Sequence, residues 1–300
     1  MPRPNLFIVG APKSGTSSMH DYLGQHPSIF MSPLKEPIHF GRDLEARGVW
    51  VVRDPATYLA LFDDAGQATR IGESTTWYLY SATAARQIKA FAPEAKIIAM
   101  LRQPIDAMYS LHGQFLYSGN EEIEDFEEAL AAEADRRQGR RIPQTTVIPR
   151  SLIYSQVFDY APQLRRYFEA FGPDRVLVIL FDDFVADTPG VYRRTLEFLG
   201  VEPDFAPDLC VVNPAKPVSP GLTRFLARRP GLRKTIHALV PPQVQRKAMD
   251  ALSRVAGAVP RPTKLPRDLR QKLMPRVVPR IEELAGLLGR DLSGWMRAAR

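Results

Sequence analysis

The chain has 300 residues, 45% of them apolar, enough to bury the core of one α/β domain with additions. Its longest apolar runs fall far short of a membrane span, and a single cysteine, Cys210, excludes an intrachain disulfide or a cysteine-based zinc cluster. The net charge of +7 is uneven: Lys216 to Arg276 holds fifteen Lys/Arg against only Asp250 and Asp268, a net +13 that leaves the remainder near −6.

Met1 to Asn5 lead directly into the first apolar run without a signal-peptide core, so a cytoplasmic location is expected. That run, Leu6-Phe7-Ile8-Val9, ends at Gly10 and suits a strand buried on both faces. From Thr16 to Gln25, Met19, Tyr22 and Leu23 recur at helical spacing. The loop between them joins a strand end to a helix start, where unpaired N–H groups and the helix dipole favour an anion. Gly10 and Gly15 permit close backbone approach, Lys13 adds a full charge, and Thr16, Ser17 and Ser18 add hydroxyls. Lys13, Ser14, Gly15, Thr16, Ser17 and Ser18 are therefore the predicted phosphate-binding residues. The lysine stands two residues before the second glycine, which is not Walker A spacing.

A short apolar run at Ile29 to Met31 precedes Pro33-Leu34-Lys35-Glu36-Pro37-Ile38-His39-Phe40, and Asp54-Pro55 reads as the capped start of a short helix. Ile71-Gly72-Glu73-Ser74 ends a third strand, and Ala82 to Phe91 reads as a helix. Lys96 to Leu101 is another buried strand, followed by Arg102-Gln103 and a helix opened by Pro104, with Ser110 two turns in. Glu121 to Arg137 reads as one amphipathic helix with Ile123, Phe126, Ala129 and Leu130 inward and its acids on the wet face. Tyr160, Leu164, Tyr167 and Phe168 mark a helix leading through Gly172-Pro173 to the strand Val176 to Phe181. This order predicts a three-layer αβα sandwich with a central parallel sheet, of the P-loop-like nucleotide-binding kind.

Pro12-Lys13-Ser14-Gly15-Thr16-Ser17 resembles the 5′-phosphosulfate loop of the sulfotransferases that use 3′-phosphoadenosine 5′-phosphosulfate (PAPS). In that family an arginine closing a strand and a serine eight residues later hold the 3′-phosphate, which the resemblance assigns to Arg102 and Ser110. Lys35-Glu36-Pro37-Ile38-His39-Phe40 is similar to a stretch of the branch related to the heparan-sulfate enzymes. It implies Glu36 as general base, with His39 as runner-up, and Lys13 as the charge that stabilises the leaving oxygen. A third 3′-phosphate contact lies late in the chain in that family, where Lys216 is the candidate and Arg224 its rival. Ser74 stands where the heparan-type enzymes often have a lysine, so a sugar acceptor is not implied. Val176 to Phe184 and Phe198-Leu199-Gly200-Val201 also resemble the family scaffold, and the resemblance returns from Leu265 to Trp295.

The expected organisation is a PAPS-binding core over 1–213, a basic helical insertion or lid over 214–264, and a C-terminal helix over 265–300 that completes the core. The expected reaction moves a sulfuryl group from PAPS to a hydroxyl or amine of a small-molecule, saccharide or lipid acceptor, without a metal. His20, His26, His39, His112 and His237 show no metal-ligand spacing. The basic 216–276 segment is expected to cover the cofactor or meet an anionic surface; nucleic acid is not expected, because aromatics are not interleaved with the basic residues. A P-loop-like kinase is the rival enzyme, opposed by the lysine position and the missing magnesium acid. The other alternative is a non-catalytic anion or membrane-surface binder.

Overall fold

The structure, a computed structural model, describes residues 2–48, 51–209 and 265–297. Five parallel strands, β1 (Leu6–Gly10), β2 (Ile29–Met31), β3 (Arg70–Ser74), β4 (Lys96–Leu101) and β5 (Val176–Leu180), form one sheet in the order β2-β3-β1-β4-β5. Alternate side chains divide the core into two layers. Phe7, Val9, Ile97, Ala99 and Leu101 face the larger cluster, whereas Leu6, Ile8, Ile98 and Met100 face the smaller one. The smaller cluster is covered by helix α1 (Thr16–Leu23), through Met19, Tyr22 and Leu23, and by the helix Thr188–Leu199. Helices α2 (Pro55–Ala60), α3 (Ala84–Phe91), α4 (Pro104–Ser118) and Tyr160–Phe171 cover the other side. The three-layer αβα sandwich is thus observed.

The connection leaving β1 runs to β2, beyond β3, whereas that leaving β4 runs the other way to β5. The crevice outside the carboxyl ends of the adjacent strands β1 and β4 is therefore the topological switch point, where ligands of open α/β sheets bind. Both predicted phosphate-binding segments follow these two strands.

Three local expectations change. The single helix expected over Glu121 to Arg137 is two short ones, Phe126–Ala131 and Glu133–Arg136, because the Asp125 carboxylate accepts from the Glu128 N–H at 2.8 Å and starts the first there. Its acids are not all wet: Glu121 and Glu133 are buried, the former 2.7 Å from Arg136 with neither side chain exposed. The helix expected from Ala82 begins at Ala84, after Asp43 has engaged Ser81 Oγ and the Ala82 N–H. Asp54 does cap α2, accepting from Thr57 N–H at 2.7 Å.

The helix Arg267–Leu288 lays Leu273, Val277, Ile281 and Leu284 into the larger cluster, alongside Leu111 and Phe115 of α4. The expected insertion over 214–264 lies outside the described residues. Among the described residues no helix is long and apolar enough to cross a membrane.

Candidate active site

β1 and β4 pair through Gly10 and Ala99, and the Ala11 N–H donates to the Met100 carbonyl at 2.6 Å, which lays the loop after β1 across the end of β4. Gly10 has φ 153°, and a Cβ there would stand 2.7 Å from the Thr76 carbonyl oxygen, so only glycine fits. Lys13 takes the left-handed conformation, φ 66°, as does Gly15, φ 87°, at the cap of α1. The first turn of α1 holds no acid and no side-chain cap, leaving its positive end for an anion. Thr16 is buried there, with Ser17 and Ser18 half-buried beside it.

The two predicted phosphate sites meet. Arg102 Nη1 donates to the Lys13 carbonyl at 3.2 Å, and the guanidinium lies 4.8 Å from the Phe181 ring centroid. Lys13 Nζ donates to Gln114 Oε1 of α4 at 2.8 Å. Ser110 stands one turn before Gln114, on the same face of α4, and Asp106 one turn before that. Asp106 is paired with Arg270 of the helix Arg267–Leu288. Tyr160 was legible only as a core aromatic, yet its buried hydroxyl donates to the Arg102 carbonyl at 3.0 Å and also bonds Ser14. Burial raises its phenol well above the usual tyrosine range. The predicted Lys216, and Arg224, lie outside the described residues.

Thr76 connects this cradle to the candidate base. Its carbonyl abuts Gly10 and its hydroxyl donates to Glu36 Oε1 at 2.9 Å. The Glu36 N–H donates to the Ser74 carbonyl at 2.9 Å, and Lys35 Nζ sits 3.3 Å from the Glu36 carboxylate. His39 is fixed in the wall: Nδ1 donates to the Val52 carbonyl at 2.9 Å and the ring stacks 3.9 Å from Tyr58. Burial holds its imidazole below the usual value, with Arg53 and Arg42 adding to the effect against the pull of the Val52 carbonyl. Glu73 has no exposure; it accepts from Tyr58 (2.8 Å), Tyr78 (2.9 Å) and Thr75 (2.6 Å), and burial still pushes its carboxyl up to about 7. Among the described residues no cluster of His, Cys, Asp and Glu could hold a metal.

The sulfotransferase domain model matches residues 3–210 of this chain. The chain belongs to the sulfotransferase domain family. A crystal structure of a sulfotransferase from Alicyclobacillus acidocaldarius superposes with a TM-score of 0.74 at 30% identity, covering 99% of this chain and 100% of that one. Carbohydrate sulfotransferase 15 of Mus musculus is 26% identical over 255 residues, 67% of this chain and 44% of that protein. Heparan sulfate glucosamine 3-O-sulfotransferase 3B1 of Mus musculus is 28% identical over 201 residues, 66% of this chain and 46% of that protein. The chain thus spans about half the length of the curated relatives it matches.

For this sulfotransferase domain, sequence reasoning missed Gln114, Tyr160, Thr76 and the tyrosines around Glu73. Only Thr76, three positions past the strand-end acid in Glu73-Ser74-Thr75-Thr76, left a local signal. Gln114 and Tyr160 act across dozens of residues, on Lys13 and Arg102, whereas Tyr58 and Tyr78 stand fifteen and five residues from Glu73.

Proposed function

We propose that the chain transfers a sulfuryl group from PAPS to a hydroxyl or amine, with Glu36 as general base. The observation that carries this reading is the bond from Arg102 to the Lys13 carbonyl, which puts groups suited to the two phosphorylated ends of one nucleotide at one switch-point crevice. The donor set fits such an anion: a helix start free of acids, two glycines, Lys13, buried Thr16 and the planar fork of Arg102. PAPS, when bound, supplies a sulfuryl group on a phosphate leaving group. Lys13 and the helix start would hold the 5′ end and oppose the charge that grows on the leaving oxygen; Arg102 and Ser110 would hold the 3′ end. Glu36, held by the Thr76 hydroxyl and Lys35, would take the acceptor's proton. This chemistry asks for no metal, because Lys13 and Arg102 meet the phosphate charge.

The relatives named for carbohydrate and heparan sulfate make a saccharide the first acceptor to try, even with Ser74 in place of lysine; lipid and small-molecule acceptors are further arms of the screen. The test is calorimetry with 3′-phosphoadenosine 5′-phosphate (PAP), together with ³⁵S transfer from PAPS. Lys13→Ala should lower turnover by about 10²-fold. Arg102→Ala should weaken PAP binding by about tenfold or more, the worth of a charge-assisted hydrogen bond. Binding of ATP with magnesium but not of PAP, with no sulfate transferred, would overturn the reading in favour of a kinase.

A further inference from the structure

The turn that presents Glu36 is strained. Glu36 has φ 62° and Ile38 φ 51°, left-handed values that a side chain disfavours and a β-branched one most of all. Such a turn persists only where its surroundings over-determine it. Four backbone N–H groups tie it down: Glu36 to Ser74 O at 2.9 Å, Val52 to Pro37 O at 2.8 Å, and His39 and Phe40 to the Tyr78 hydroxyl at 2.9 and 3.3 Å.

The last two bonds depend on where Tyr78 sends its own proton. A phenol has one, and here it goes to Glu73 Oε1 at 2.9 Å, which leaves the oxygen lone pairs for the two amides. The same carboxylate oxygen accepts from Tyr58 at 2.8 Å, and the Tyr58 ring lies nearly parallel to His39, 3.9 Å away and tilted 6°. Thr75 occupies the other oxygen at 2.6 Å. Glu73, Tyr58 and Tyr78 have no exposure, so water cannot replace a lost partner. One carboxylate therefore orients the groups that hold residues 39 and 40 through both backbone and ring.

We propose that Glu73 is a positioning residue for Glu36: acting through Tyr78 and Tyr58, it locks His39 and Phe40 and so maintains the strained turn that sets the Glu36 carboxylate beside Thr76 and the cradle. The kinetic part rests on the sulfotransfer reading above; the structural part does not. Glu73 touches neither the cradle nor Glu36 in its hydrogen bonding, and its influence passes through the phenols.

The test uses the full chain carrying Tyr78→Phe, which removes one oxygen atom, or Glu73→Gln. In hydrogen-exchange mass spectrometry the peptide covering 36–40 should exchange at least about tenfold faster in both variants, while peptides from β1 and β4 keep the parent rate. With PAPS and the best acceptor, kcat should fall by about tenfold, the scale expected of a misplaced catalytic group, with PAP affinity within twofold of the parent. Unchanged exchange over 36–40 in Tyr78→Phe would overturn the proposal, as would unchanged kcat where Glu36→Gln is inactive. If Glu36→Gln keeps full turnover, the base assignment falls, and the exchange result still decides what Glu73 holds. Should Glu73→Gln not fold, Tyr78→Phe and Tyr58→Phe carry the test.

Discussion

Glu73 hides a carboxyl group from water beside a half-buried one, Glu36, and the two repel. Burial is the largest influence on Glu73 and raises its pKa; bonds from Thr75, Tyr58 and Tyr78 oppose it, and Glu36 adds to it, leaving the group near 7 against an ordinary 4.5. Between about pH 4.5 and 7 the native state then holds a proton that the unfolded chain releases. Stability contributed by the protonated group is complete below 4.5 and is lost as pH rises to about 7. Glu73→Gln cannot release that proton. Urea unfolding should therefore find the parent's advantage over Glu73→Gln larger at pH 5 than at pH 7.5, by as much as about 3 kcal/mol. An advantage that grows with pH would show that the hydrogen bonds, not burial, dominate this site.

At the scale of elements, the segment from Glu121 to Arg141 is organised around one buried cation. Arg136 donates to Glu121 and to the carbonyls of Ala129 and Leu152, while Tyr154 donates to the other oxygen of Glu121 at 2.9 Å. Removing the arginine alone would strand the Glu121 carboxylate without its charge partner, and Arg136→Ala should cost about 3–5 kcal/mol in a denaturant titration. A loss below about 1 kcal/mol would mean that water enters and solvates Glu121. This segment also marks the limit of the sequence. Period 3.6 was visible in Ile123, Phe126, Ala129 and Leu130, but the burial of Glu121 depends on an arginine fifteen residues away. The five strands were legible because runs such as Lys96 to Leu101 are apolar on both faces, as a sheet covered by helices demands. The cradle was legible because its chemistry is local. Gln114 and Tyr160 were not, since a glutamine on a helix face and a tyrosine in an apolar stripe carry no mark of the loop they touch.

Across the whole molecule, the end of the chain returns to brace the crevice. Trp295 is buried; its carbonyl accepts from Gln103 Nε2 at 3.1 Å, and its indole N–H donates to Asp182 at 2.5 Å. Gln103 follows Arg102 directly and caps α4, accepting from the Asp106 N–H at 2.9 Å. Asp182 follows Phe181, the ring over which the Arg102 guanidinium lies. One tryptophan thus fixes both the start of α4 and the aromatic platform of Arg102, and Arg290 adds a second tie to the helix Phe181–Ala186 by pairing with Asp183 at 2.7 Å. Two substitutions separate packing from placement. Trp295→Ala removes the ring and should cost about 3–5 kcal/mol, read from chemical denaturation. Trp295→Phe keeps most of the apolar burial but not the N–H, which leaves Asp182 without that donor; it should lose only about 1 kcal/mol of stability. If the tail holds Arg102 in register, Trp295→Phe should nevertheless weaken PAP binding severalfold in calorimetry, and Arg102→Ala should abolish the difference between Trp295 and Phe at this position. Equal PAP affinity in Trp295→Phe and parent would confine the C-terminal segment to closing the core.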